Sequence, residues 1–89
     1  MQNCYLPIQT LCLVSTTGDV RPVWFRYEDE MHRIIKVKIN EVLSCKETKT
    51  AGRRELVYTC SATDGEIMSI FELKYTVESH KWILYRKVM

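Results

Sequence analysis

The Asp64-Gly65 pair is the feature that most narrows what this chain can fold into. Glycine enters the left-handed backbone region at little cost, so Asp-Gly between two alternating runs marks a tight β-hairpin, here of type I′. Both flanks alternate. Before the pair, Glu55 to Thr63 puts Leu56, Tyr58 and Cys60 on one face and Val57, Thr59 and Ser61 on the other. After it, Ile67, Ser69, Phe71, Leu73, Tyr75 and Val77 share a face. A period of two residues belongs to a strand with one buried face.

The same grammar recurs along the chain. Ile8 to Val14 is apolar enough for a buried strand, and Ser15 to Asp19, built on Gly18, is a turn. In Val20 to Tyr27, the side chains of Val23, Phe25 and Tyr27 alternate with Trp24 and Arg26. Pro22 lacks a donor N–H, which places it at the start of that strand or on an edge. Glu28 to Glu30 reads as a hairpin turn. Met31 to Val42 fits two patterns. Met31, Ile34, Ile35, Ile39 and Val42 make a helical stripe, whereas Ile35, Val37 and Ile39 against Lys36, Lys38 and Asn40 make a strand. Five of these twelve residues are Ile or Val, which are stiff in a helix and suit a pleated face, so the strand is preferred. Leu43 to Arg54 reads as a polar, basic loop. A second turn at Glu78 to Lys81 leads to Trp82 to Val88, where Trp82, Leu84 and Val88 share a face.

These segments predict one all-β domain of five or six antiparallel strands in a meander, closed as a curled sheet or small barrel. The 89 residues suffice for a single domain. No apolar run approaches the ~18 residues of a membrane span. The large residues Phe25, Tyr58, Phe71, Leu73 and Trp82 are the expected core, with Cys12 and Cys60 as small apolar fillers.

Size also constrains function. A chain this short buries only about 60–65% of the surface its unfolded form exposes. A deep pocket would consume the core, so binding through an outer face, a loop or a strand edge is expected, and catalysis is not. Neither a G-x-S-x-G elbow nor a P-loop occurs. His32 beside Glu28, Asp29 and Glu30 is the one acid–base cluster, and no nucleophile accompanies it. The cysteines are Cys4, Cys12, Cys45 and Cys60, with no C-x-x-C or H-x-x-x-H spacing, so neither a metal site nor a cofactor is expected. The stretch MQNCYLPIQTLCLV lacks the basic start and small-residue cleavage site of a secretory signal. A cytoplasmic setting with reduced thiols follows as an expectation.

Net charge is +2, which by itself points to no partner, but the charge is distributed in blocks. Met1 to His32 carries two bases and four acids; Arg33 to Arg54 carries seven bases and two acids. Glu55 to His80 carries one base and five acids, and Lys81 to Met89 carries three bases. If the strand before the basic loop lay beside the final strand, Lys36, Lys38, Lys46, Lys49, Arg53, Arg54, Arg86 and Lys87 would form one basic patch. With an exposed Trp24 or Tyr85, such a patch suits single-stranded nucleic acid, cations holding phosphates and rings stacking bases. The alternative is that these are solvated positions paired with acids on adjacent strands. A further alternative lies in Ile8 to Val14, an uncharged apolar strand. On an edge it becomes a template for pairing with a protein partner or a second copy.

Arg21-Pro22-Val23, Phe25-Arg26-Tyr27, His32, Ile34 and Val37, then Val57-Tyr58, Asp64-Gly65, Glu72-Leu73 and Trp82, Leu84 and Arg86 carry a resemblance. Over roughly Arg21 to Val88 the chain resembles a family of small bacterial β-rich proteins of unknown function (the DUF6504 type). The resemblance implies a strand for Met31 to Val42. It also implies a setting beside DNA-damage-tolerance functions, with no established activity to carry over. The chain departs from the pattern in its longer Met1 to Thr17 region and in having fewer Arg and Trp residues in the middle loop.

Overall fold

The computed structural model describes residues 2–88, and for residues 2–4 and 64 it describes the backbone only. Cys4 therefore lies outside the described side chains. Six antiparallel strands follow one another: β1 (Gln2–Val14), β2 (Val20–Glu28), β3 (Ile34–Thr50), β4 (Arg53–Asp64), β5 (Ile67–Thr76) and β6 (Lys81–Lys87). Each pairs with the next, and β6 returns to β1 to close a barrel. The Met31 to Val42 segment thus resolves to a strand from Ile34 onward, as its β-branched content favours.

The period-two pattern fills the barrel. Phe25, Val37, Tyr58, Cys60, Phe71, Leu73, Trp82 and Leu84 are buried, whereas Arg26, Lys36 and Lys38 face solvent. Phe25 and Phe71 meet edge to face at 5.7 Å. Trp82 lies between Tyr58 at 5.4 Å and Tyr75 at 4.7 Å. Contacts of this kind add roughly 0.5–1.5 kcal/mol beyond area burial. The Tyr58 hydroxyl donates to the Val20 carbonyl at 2.5 Å, tying the start of β2 to the interior.

Burial, followed by the influence of the Cys45 thiol, pushes Cys60 up to about 12. Burial also raises Tyr58 above the ordinary phenol value. Cys12 and Cys45 are raised by partial burial as well. Thiols shifted this way are poor nucleophiles at neutral pH.

Four local expectations are corrected. First, Leu43 to Arg54 is not a loop. β3 runs on to Thr50 and pairs with β4 through Thr50↔Arg53, leaving only Ala51-Gly52 as the turn. Both turn residues take positive φ, +51 and +80, as a type I′ hairpin requires. Its polar composition reflects exposure rather than irregular backbone, since Leu43 to Lys46 and Lys49 to Arg54 are exposed. Extended, the 17 residues of β3 would span about 55 Å. The longest dimension of the molecule is 34 Å, so β3 must curl, and register shifts at Ile39/Glu41 and Val42/Ser44 bend it.

Second, Asp64 pairs with Ile67, so the loop residues are Gly65-Glu66, with Gly65 at φ +67. Glycine in the first loop position is the II′ arrangement, not I′. Third, Pro22 is the third residue of β2 and buried. Leu11↔Trp24 is followed by Cys12↔Pro22, so Val23 is an extra residue, and this bulge accommodates the missing N–H. The β2–β3 turn is also one step later than read. It spans Asp29–Arg33, where Asp29 Oδ1 accepts the N–H groups of Met31 at 2.9 Å and Arg33 at 2.8 Å.

Candidate nucleic-acid interface

Barrel order decides which charges meet. β3 lies between β2 and β4, and β6 between β5 and β1. The two basic strands are therefore three strands apart in either direction around the barrel. Lys36 and Lys38 face away from Arg86 and Lys87, and the single patch expected from the blocks does not form. Arg86 is hydrogen-bonded to Glu72 on the neighbouring β5, which raises its pKa and neutralises its field locally. Lys46, Lys49, Arg53 and Arg54 lie along the β3–β4 hairpin. There Arg54 pairs with Glu47 at 2.9 Å, and its backbone N–H donates to Glu78 at 2.7 Å.

The structure instead builds a smaller basic face that block arithmetic missed. On the outer side of β2 and β3, register sets Arg26 opposite Lys36 and Trp24 opposite Lys38. Arg21 lies further along β2, opposite Leu13 of β1. Neither 20–27 nor 34–40 contains an acid. Among the described residues, the ion pairs within 4.0 Å are His32–Glu28, Arg33–Asp29, Arg54–Glu47 and Arg86–Glu72, and none includes these four cations. Lys36 Nζ lies 4.5 Å above the Trp24 ring, and Arg26 Nε donates to Gln9, which fixes the side chain upright beside β1. Arg21 and Arg26 escaped notice because they belong to a segment of net negative charge. Its acids, Asp19, Glu28, Asp29 and Glu30, lie in and beside the turns at either end of β2.

A second cation–aromatic group stands on the far side. Lys74 Nζ lies 4.1 Å above Tyr85, whose ring meets Tyr5 edge to face at 5.2 Å. Arg86 lies 5.5 Å from the same ring, but Glu72 accompanies it. On the β2–β3 face, by contrast, Lys36 stands over the Trp24 ring, and none of the described ion pairs includes Arg21, Arg26, Lys36 or Lys38.

The remaining candidates are quickly placed. His32 and Glu28 are hydrogen-bonded at 2.6 Å, with side chains 86% and 54% exposed, so the pair stands in water at a turn. Among the described residues no three His, Cys, Asp or Glu side chains gather to hold a metal ion. An open, largely apolar groove of about 820 Å³ runs between β1 and the β5–β6 turn, lined in part by Leu11, Cys12, Tyr75 and Trp82. It lies at the surface where β1 leaves β6, beside the packed core rather than within it. Compared with protein-family models, curated proteins and solved structures, the chain matches none.

Proposed function

We propose that the protein is a non-enzymatic binding module that takes single-stranded nucleic acid on the outer face of β2 and β3. The carrying observation is the cluster of Arg21, Arg26, Lys36 and Lys38 around Trp24, with no acid among residues 20–27 and 34–40 and with Glu28, at the end of β2, hydrogen-bonded to His32. Arg26, Lys36 and Lys38 reach solvent from adjacent register rows and would follow a phosphate backbone. Trp24 supplies a ring on which a base stacks, the lysine above it swinging to a phosphate. Stacking of this kind is tolerant of sequence, since every base has a π-face. The absence of a nucleophile beside His32 and the raised thiol values favour binding over catalysis. The resemblance to a small bacterial family associated with DNA-damage tolerance agrees with this reading, as does a cytoplasmic setting.

Fluorescence anisotropy of a labelled oligothymidylate at low salt tests it. Binding that weakens as salt rises, and that is lost in the Trp24→Ala, Lys36→Ala, Lys38→Ala triple variant, is the expected result. A chain that leaves the oligonucleotide free at low salt refutes it.

A further inference from the structure

β1 changes partners half-way along its length. Leu6 to Ile8 pair with Leu84, Ile83 and Trp82 of β6, whereas Gln9 to Val14 pair with Arg26 to Val20 of β2. From Thr10 onward, β1 therefore has a neighbour on one side only. Its other edge looks into the apolar groove beside the β5–β6 turn. The outward side chains of this half-strand are exposed and apolar, Leu11 at 48% and Leu13 at 53%, and Val14 at the strand's end is 66% exposed on the other side. Thr10 Oγ1, on the same half-strand, is buried without a hydrogen-bond partner.

A comparison within the barrel gives this edge its meaning. β3 also outruns β2, since their pairing ends at Trp24↔Lys38, and Ile39 to Thr50 has β4 as its only neighbour. That second free edge carries Lys46, Glu47 and Lys49 and two register shifts, the devices by which natural sheets prevent edge pairing. The Thr10–Val14 edge carries no charge, since no charged residue precedes Asp19, and at its register shift, Leu11/Cys12, the extra residue is Val23 of β2 rather than a residue of β1. An edge left apolar and undefended is one that is covered.

We infer that the Thr10–Val14 edge of β1 pairs with the same edge of a second copy, antiparallel about a two-fold axis. Charge selects this occupant. Among the described residues lining the groove, the ionisable bases are His80 and Lys81 and none is an acid, so the best-matched strand is neutral and apolar. The chain contains one such strand, β1 itself, and pairing it with its own copy opposes no like charges. Directly opposed residues in an antiparallel pair share a face, so the axis passes through a residue rather than between two. Leu11 and Leu13 of both copies then join on one outer face. That face is continuous with β2 and β3 in each copy, which turns both Trp24 rings to the same side. Across β2, β1 and their copies, the two β2 strands stand about 14 Å apart, three strand spacings.

Sedimentation equilibrium of the full chain, without nucleic acid, tests the pairing independently of the proposed ligand. A dimer is expected, together with a rise in amide protection at Thr10–Val14 as protein concentration increases. Leu13→Lys is expected to weaken the dimer roughly tenfold or more, a loss of about 1.4 kcal/mol, with an unchanged circular dichroism spectrum. A monomer at high micromolar concentration overturns the inference. So does a dimer whose β1 amides exchange as fast as in dilute solution, and a dimer that Leu13→Lys leaves intact.

Discussion

The salt dependence of oligonucleotide binding is the sharpest test of the β2–β3 face, because its size follows from counting cations. Arg21, Arg26, Lys36 and Lys38 lie on that face, with no acid among residues 20–27 and 34–40. Each phosphate neutralised on a single strand contributes about −0.7 to the slope of log K against log salt. Four contacts give about −2.8, so affinity falls about 50-fold between 50 and 200 mM salt. Replacing Lys36 and Lys38 by Ala halves the slope to about −1.4 and reduces the fall to about sevenfold. Trp24→Ala acts differently. It removes a stacking ring worth about 1–3 kcal/mol, lowering affinity at every salt concentration and leaving the slope in place. The matched control is Arg86→Ala with Lys87→Ala, on the opposite side of the barrel, which should leave slope and affinity as they were. Outward substitutions at Lys36, Lys38 and Lys87 change stability by about 0.5 kcal/mol or less, whereas Arg86 is paired with Glu72, so the control variant is compared at matched folded fraction by circular dichroism. Anisotropy titrations at four salt concentrations measure all of this. If Arg86 and Lys87 reduce the slope as much as Lys36 and Lys38 do, the face has been misassigned. A slope indifferent to Lys36 and Lys38 leads to the same conclusion.

The fold makes its own predictions. Tyr58→Phe removes the hydroxyl that donates to the Val20 carbonyl from inside the barrel and should cost about 1–3 kcal/mol in urea denaturation, with secondary structure retained. Cys60 has a folded value raised to about 12, above the ~8.5 of an exposed thiol, so the unfolded chain releases the proton first. Its contribution is therefore intact below the unfolded thiol value and is lost as pH rises toward the folded one. Stability should fall by up to about 1.4 kcal/mol per pH unit above pH 9, and Cys60→Ala should flatten that slope while lowering stability at pH 7. Ala51 sits at φ +51 in the first position of a two-residue hairpin loop, where Asn is better suited. Ala51→Asn should stabilise by roughly 0.5–1 kcal/mol, read as a raised melting temperature.

Much of the barrel was legible because its determinants are local. Alternation placed Phe25, Val37, Tyr58, Cys60, Phe71, Leu73 and Trp82 inside, since a strand shows its period within a few residues. Gly18 and Gly65 located two of the turns for the same reason. The β3–β4 hairpin was misread because polar composition resembles a loop whenever both faces of a ribbon meet water, and Ala51 hid the turn that Gly52 marked only in part. The β2–β3 site was half legible. Lys36 and Lys38 stood out in a basic run, whereas Arg21 and Arg26 were masked by acids that lie in and beside the flanking turns.

The sequence by itself determined most of the strands, their inward faces and their up-and-down order, all of which depend on neighbours close along the chain, and missed the strand character of Leu43 to Thr50. Tertiary structure alone decided what closure brings together. Residues of β1 and β6 that pair, such as Ile8 with Trp82, are distant in sequence, and nothing in either segment encodes the register in which they meet. That register puts the two basic strands on opposite sides of the barrel, leaving Arg21 and Arg26 to complete the face that Lys36 and Lys38 begin. It also stops at Ile8, which leaves the apolar half of β1 with one neighbour instead of two.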